Sequence, residues 1–274
     1  MHELEAKAVE WNVTIDEIRE TPTSLIGFGV RGGVRVVLKT NKQNGDESHS
    51  GEVLKAYGGV GAVRVYQSEP NAVLLERLEP GEQLVSLVKH GRDFEATNIL
   101  AEVIMQLANH EAPIGCPTVI DWGRAFDRYL QSGNEQIPRE VVEEAREMYE
   151  ELADSQRQTM LLHGDLQHYN VLFDNERGWV AIDPKGVIGE LEYELSAVLR
   201  NPIELPDVIA NPVTITRRLE ILTTTLHLDY SRALRWSYAQ SILSAIWDIE
   251  DGHGLTPNNP SLLLAQTLKT NLLG

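Results

Sequence analysis

The stretch that most restricts the folds open to this chain is Leu161-Leu162-His163-Gly164-Asp165-Leu166-Gln167-His168-Tyr169-Asn170-Val171-Leu172-Phe173, with Trp179-Val180-Ala181-Ile182-Asp183-Pro184-Lys185-Gly186 close behind it. Two short apolar runs, Val171–Phe173 and Trp179–Ile182, flank the polar segment Asp174-Asn175-Glu176-Arg177-Gly178, which is the pattern of a hairpin. Asp165 and Asn170 precede the first run and Asp183 follows the second, so an antiparallel hairpin gathers all three at one end. Taken singly, each is explained as a turn former or a strand-end cap. Taken together, His-Gly-Asp-x-x-x-x-Asn and Ile-Asp-Pro-Lys-Gly have the residue types and spacing that phosphoryl transfer needs. Asp165 takes the proton of an acceptor hydroxyl. Asn170 and Asp183 hold Mg²⁺ against the phosphates of ATP.

Both segments resemble the catalytic and metal loops of the aminoglycoside phosphotransferase group within the protein-kinase-like fold. The run Trp-Val-Ala-Ile-Asp-Pro-Lys-Gly-Val-Ile-Gly-Glu, with Leu199-Arg200-Asn201-Pro202 after it, is most similar to the aminoglycoside/hydroxyurea resistance kinases, which include streptomycin 6-phosphotransferases. The resemblance implies an α+β, bilobal fold, with a small β-rich lobe over residues 1–78 and a larger, mainly helical lobe over residues 79–274. It implies transfer of the γ-phosphoryl group of ATP, with GTP as the other donor, to a hydroxyl of a small molecule such as streptomycin. A sugar, an amino alcohol or hydroxyurea would use the same catalytic residues, so those acceptors stay open. So does a catalytically silent nucleotide-binding protein.

Charge bears on the choice of partner. The 274 residues carry 41 acidic and 24 basic side chains, a formal charge of −17. Such a field disfavours nucleic acid and anionic membrane surfaces and draws cationic ligands into a cleft, although acidity also serves solubility. Apolar residues make up 42 %, and no run is long enough to span a membrane. The single cysteine, Cys116, excludes an intrachain disulfide. With no signal-like apolar segment at the start, a cytoplasmic location is expected; monomer and homodimer are both open.

Along the first lobe, Val13-Thr14-Ile15, Leu25–Val30 and Val34–Thr40 read as strands, Gly51–Tyr57 as a helix, and Ala62–Tyr66 and Ala72–Leu75 as further strands. Lys39 ends the clearest strand, and Val-Val-Leu-Lys resembles the kinase strand whose lysine holds the α- and β-phosphates. Glu52 is the candidate partner that fixes Lys39, with Glu47 second. Gly27, Gly29, Gly32 and Gly33 are misspaced for a Gly-x-Gly-x-x-Gly loop, which leaves Glu20–Ser24 to cover the phosphates. Leu74–Gly81 reads as the inter-lobe linker; in the resembling kinases its counterpart binds adenine through main-chain atoms, here those of Glu76 and Leu78.

Helices are expected over Asp93–His110, Trp122–Tyr129, Pro138–Ser155, Val213–Leu226 and Ser231–Glu250. Their inner faces carry Ala96, Leu100, Val103 and Leu107 in the first and Val141, Ala145, Met148 and Leu152 in the third. The resemblance offers Asp248, Glu250 and Asp251 as acidic lining for a cationic acceptor, with Trp247 stacking on a guanidinium group. Lys185 either meets a phosphate or pairs with Glu190, and Glu190 either faces the site or caps the next helix. Glu194 stands where the wider family has an Asp that braces the catalytic loop, and its extra methylene puts that geometry in question. His163 is expected to position the loop, and His168 to face the acceptor or cover the loop.

Overall fold

A computed structural model describes residues 2–42, 49–252, 254–256 and 258–270. It begins with helix α1 (His2–Glu10) and continues through β1 (Thr14–Glu20), β2 (Ser24–Arg31), β3 (Val34–Asn41), α2 (Ser50–Tyr57), β4 (Val65–Glu69) and β5 (Ala72–Glu76). The five strands form one antiparallel sheet in the order β1-β2-β3-β5-β4. Period-two alternation splits its residues between two cores. Val36, Leu38, Ala72 and Leu74 pack with Leu4, Ala8 and Trp11 of the N-terminal segment, whereas Val73 and Leu75 join Val53, Leu54 and Tyr57 of α2. Lys39 lies opposite Val73 in the β3–β5 ladder, so it projects on the α2 side of the sheet. The β1–β2 ladder needs Gly29: a Cβ there would sit 2.1 Å from the Thr14 carbonyl oxygen, beside an irregularity between Ile15 and Glu17.

The second part comprises β6 (Pro80–Gln83), α3 (Val85–Lys89), α4 (Asp93–Leu107), α5 (Val119–Ser132), α6 (Arg139–Asp154), β7 (Met160–Leu162), β8 (Val171–Asp174), β9 (Gly178–Ala181), β10 (Val187–Gly189), α7 (Leu191–Leu199), α8 (Pro206–Ile209), α9 (Pro212–Leu226), α10 (Tyr230–Glu250) and α11 (Pro260–Leu268). A β-rich first part followed by a helical second part is the α+β arrangement expected from the sequence. Helix α10 is its axis, packing against α5, α6, α7, α9 and α11. Trp236 on α10 is fully enclosed, with Tyr149 and Tyr193 edge-on at centroid distances of 4.9 and 5.1 Å. No helix among the described residues is long and apolar enough to cross a membrane.

The hairpin β8–β9 ties the two parts together. Arg177, in its turn, pairs with the nearly buried carboxylate of Glu76 and donates to the carbonyls of Gly59 and Ala62 at 2.5 and 3.1 Å. Ala181 on β9 exchanges backbone hydrogen bonds with Gly61 and Val63. This docking draws Ala62 out of the expected Ala62–Tyr66 strand, so β4 begins at Val65. Helix α5 starts earlier than Trp122 because Thr118 and Asp121 form a capping box, each side chain accepting from the other's backbone N–H at 3.2 and 2.9 Å. On α6 the inward residues include Val142, Ala145, Tyr149 and Leu152, so Ala145 and Leu152 are buried as expected, whereas Val141 and Met148 are only partly covered.

Candidate active site

Asp165 lies in the loop between β7 and β8, and the loop is braced from beneath. Gly164 has φ +79°, and a Cβ there would meet the Trp122 ring at 2.8 Å, so backbone conformation and space both demand glycine. The Glu194 carboxylate on α7 accepts the Gly164 N–H at 3.1 and 3.2 Å and the Leu166 N–H at 3.3 Å. The longer side chain therefore does brace the loop. Burial pushes the Glu194 carboxyl up to about 7; the loop amides pull the other way and the charge of Asp165 adds to the rise. His163 links this loop to the metal loop. Its Nδ1 accepts the Asp165 N–H at 3.3 Å and its Nε2 donates to the Ile182 carbonyl at 2.9 Å, which specifies a neutral imidazole. Burial lowers its pKa, which favours that same form.

The three residues expected to converge do so. Asn170 Nδ2 donates to the Asp165 carbonyl at 2.9 Å and to Asp165 Oδ2 at 3.3 Å. The Ile182 N–H donates to the Asn170 carbonyl at 2.9 Å, which sets Asp183 beside Asn170. Asp183 occupies the left-handed region at φ 60°, a conformation Asp tolerates better than most residues, and Pro184 follows it. Lys39 reaches across the cleft and pairs with Asp183 Oδ1, its side chain only 12 % exposed.

Glu52 is not at Lys39 in this structure. Its carboxylate accepts from Lys55 at 2.7 Å and from Ser68 at 3.2 Å, because Lys55 lies one turn further along the same face of α2. Glu47 lies outside the described residues. Glu190 is likewise displaced from the acceptor side: it is nearly buried, with its carboxylate held by Arg232 and the Trp236 Nε1–H. It neither caps α7 through its side chain nor pairs with Lys185. Lys185 instead stands 5.8 Å from the centroid of Trp247, whose ring meets Trp122 edge-on at 5.3 Å. Of the acidic residues at the end of α10, Glu250 forms a two-point pair with Arg128 at 2.8 Å, Asp248 accepts from Asn259 at 2.8 Å, and Asp251 is exposed at the helix end.

Glu76 contributes its amide to the Arg64 carbonyl and its carboxylate to Arg64 and Arg177; Leu78 follows β5 in the linker, its side chain nearly buried. The Thr21–Ser24 turn closes on itself: the Thr21 N–H donates to the Ser24 carbonyl and the Ser24 N–H to Thr21 Oγ1, both at 2.9 Å. Those two amides are spent within the turn rather than offered to a phosphate. His168 is enclosed by protein, so it covers the loop and does not face an acceptor.

Arg200 was singled out by the sequence only as part of Leu-Arg-Asn-Pro. Its Nη2 donates to Asp165 Oδ1 at 3.4 Å and its Nη1 to Gln240 Oε1 at 2.7 Å. No local spacing signals this contact, because helix α7 separates the two residues in the chain.

Among the described residues, no three His, Cys, Asp or Glu side chains gather into a self-sufficient metal site. The Asn170 and Asp183 pair nevertheless suits Mg²⁺, which takes one or two carboxylate or amide oxygens from protein and fills its remaining positions with phosphate and water. Because Asn170 spends its amide nitrogen on Asp165, its Oδ1 is left for a cation.

Residues 11–252 match the model of a family described as aminoglycoside/hydroxyurea antibiotic resistance kinase. A streptomycin 3''-kinase of Klebsiella pneumoniae is 33 % identical over 88 % of this chain and 91 % of its own length. A streptomycin 6-kinase of Streptomyces glaucescens is 30 % identical over 94 % of this chain and 86 % of its own. In three dimensions the chain superposes on a thermostable mutant of an aminoglycoside phosphotransferase, solved as a ternary complex with ADP and hygromycin B, with a TM-score of 0.67 and 14 % identity over 99 % of both chains. That likeness fixes the bilobal, kinase-like fold. With a matching model over most of its length and relatives of this identity and coverage, the chain belongs to the aminoglycoside/hydroxyurea antibiotic resistance kinase family.

Proposed function

We propose that this protein transfers the γ-phosphoryl group of ATP to a hydroxyl of streptomycin or a closely similar aminoglycoside. The observation that carries the reading is the meeting of Asp165, Asn170, Asp183 and Lys39 at one end of the β8–β9 hairpin. Two relatives named as streptomycin kinases support the acceptor class, as does a formal charge of −17, which favours a polycation.

In this mechanism Asp165 orients the acceptor hydroxyl and takes its proton as the oxygen–phosphorus bond forms. The bond from the γ-phosphorus to the bridging oxygen breaks and ADP departs. The transition state is loose, so positioning and charge neutralisation carry most of the rate. Lys39 faces the donor phosphates, and Asn170 and Asp183 would hold Mg²⁺, which when bound offsets the phosphate charge. The Glu76 carbonyl and the Leu78 amide face the adenine, since the Glu76 amide and carboxylate are already engaged. On the acceptor side, Trp247 offers a ring to a guanidinium group of the acceptor, which takes the place that Lys185 holds at 5.8 Å once Lys185 turns away, with Asp248 and Asp251 nearby in sequence. Every residue invoked comes from one chain, so a monomer suffices, and the need for ATP suits the cytoplasm.

The test is to incubate the protein with Mg²⁺-ATP and a panel of streptomycin, other aminoglycosides, hydroxyurea and simple polyols, and to look for products by mass. A monophosphorylated streptomycin, with the modified hydroxyl mapped by NMR, supports the proposal. Phosphorylation of another panel member alone would retain the mechanism and replace the substrate.

A further inference from the structure

Resting on that phosphotransferase reading, we infer that Arg200 is a positioning residue for Asp165, holding its carboxylate in the orientation that receives the acceptor proton. Arg200 ends helix α7, and its guanidinium is split between two partners: Nη1 is anchored on Gln240 Oε1 of α10 at 2.7 Å, and Nη2 reaches Asp165 Oδ1 at 3.4 Å. Gln240 is buried and the Arg200 side chain only 11 % exposed, so the anchor is rigid. Asn170 Nδ2 meets the other oxygen, Asp165 Oδ2, at 3.3 Å. The carboxylate is therefore gripped at both oxygens, by Asn170 from its own loop and by Arg200 from the end of α7.

Geometry also explains why the grip leaves the base available. A carboxylate has about four lone-pair sites, and two donors leave about half of them for the acceptor hydroxyl. A strong charge-assisted N–H···O bond closes to about 2.7–2.9 Å; at 3.4 Å Arg200 orients Asp165 without tying it up. Charge balance points the same way. Asp165 and Asp183 lie at one end of the β8–β9 hairpin before any ATP phosphate arrives; Lys39 answers Asp183 and Arg200 answers Asp165. A nearly buried guanidinium set only against a neutral amide would be costly. Its pairing with Asp165 accounts for its position. The planar fork also makes arginine, not lysine, the side chain that can touch Gln240 and Asp165 at once.

The experiment measures steady-state phosphotransfer to streptomycin for the wild type, Arg200→Met, Arg200→Lys and Gln240→Met, and for Arg200→Met in an Asp165→Asn background. Arg200→Met is expected to lower kcat by about 10- to 100-fold while the KM for ATP stays within about twofold, and Arg200→Lys to recover part of the loss. Gln240→Met, which keeps the charge and loosens the anchor, should lower kcat by less. In the Asp165→Asn background Arg200→Met should cost less than about threefold, because its effect runs through the carboxylate. A merely structural Arg200 would cost the same factor in both backgrounds, and that result overturns the inference, as does an unchanged kcat in Arg200→Met. If Arg200→Met does not fold, Gln240→Met with and without Asp165→Asn decides by the same criterion. A wild type that phosphorylates nothing in the panel overturns the proposed function and this role together, whereas an active wild type with an indifferent Arg200 overturns the role alone.

Discussion

Replacing Glu194 by Gln tests how the catalytic loop is supported, and the structure sets the size of the effect. The folded carboxyl ionises at about 7 and the unfolded one near 4.5, burial being the main cause. Between those values the folded state holds a proton that the unfolded state has released. The stability contributed by this group is therefore complete below about pH 4.5, falls as pH rises, and is gone above about pH 7. At about 1.4 kcal/mol per pKa unit, the loss amounts to about 3 kcal/mol. Glutamine mimics the protonated carboxyl: its Oε1 can still accept from Gly164 and Leu166, and it has no charge to bury. Urea unfolding of both proteins between pH 5 and pH 8 should show the variant gaining on the wild type by about 2–3 kcal/mol across that window, with most of the gain in place by pH 7. Parallel pH profiles would refute the reasoning, because they would mean that Glu194 ionises alike in the folded and unfolded states.

Asp183→Asn should be as damaging as loss of the base: kcat should fall by about two orders of magnitude or more, and the concentration of Mg²⁺ needed for half-maximal rate should rise, both read from ADP release in a magnesium titration. Arg177→Met removes the cation that joins the Glu76 carboxylate to two carbonyls of the α2–β4 connection, and urea unfolding should show a loss of about 3 kcal/mol. Trp236→Ala removes the largest fully buried side chain of α10 and strips Glu190 of a donor; a loss of about 3–5 kcal/mol is expected in the same assay.

What the sequence made legible is what lies close together in it. The catalytic loop, the hairpin and the metal loop occupy one continuous segment, so the meeting of Asp165, Asn170 and Asp183 could be read from turn chemistry and strand pairing alone. Lys39 was legible because Val-Val-Leu-Lys resembles the kinase strand whose lysine holds the phosphates and because the catalytic segment downstream calls for such a lysine. The misplaced residues have competing partners, one nearby and one far along the chain. Glu52 sits at a plausible place in α2, but Lys55 is three residues away on the same face and takes its charge. Glu190 follows the metal loop closely, yet Trp236 and Arg232 on α10 claim its carboxylate. On α6, Ala145 and Leu152 face inward as expected, but Val142 and Tyr149 take the places expected of Val141 and Met148, the Tyr149 ring being set among Phe126, Tyr193 and Trp236. Strands β6, β7 and β10, of three or four residues, are too short to show any period. Arg200 was visible as a letter in a motif, but its role depends on a contact made only when α7 folds back beneath the loop.

The most direct measurement of the central claim is streptomycin-stimulated ADP release by the wild type and by Asp165→Asn, with ATP binding measured in parallel. The account predicts stimulation in the wild type, a loss of at least about 100-fold in kcat in the variant, and similar ATP affinity in both. Near-normal turnover in Asp165→Asn would contradict it, because the phosphoryl transfer would then be proceeding without the carboxylate around which the whole site is arranged.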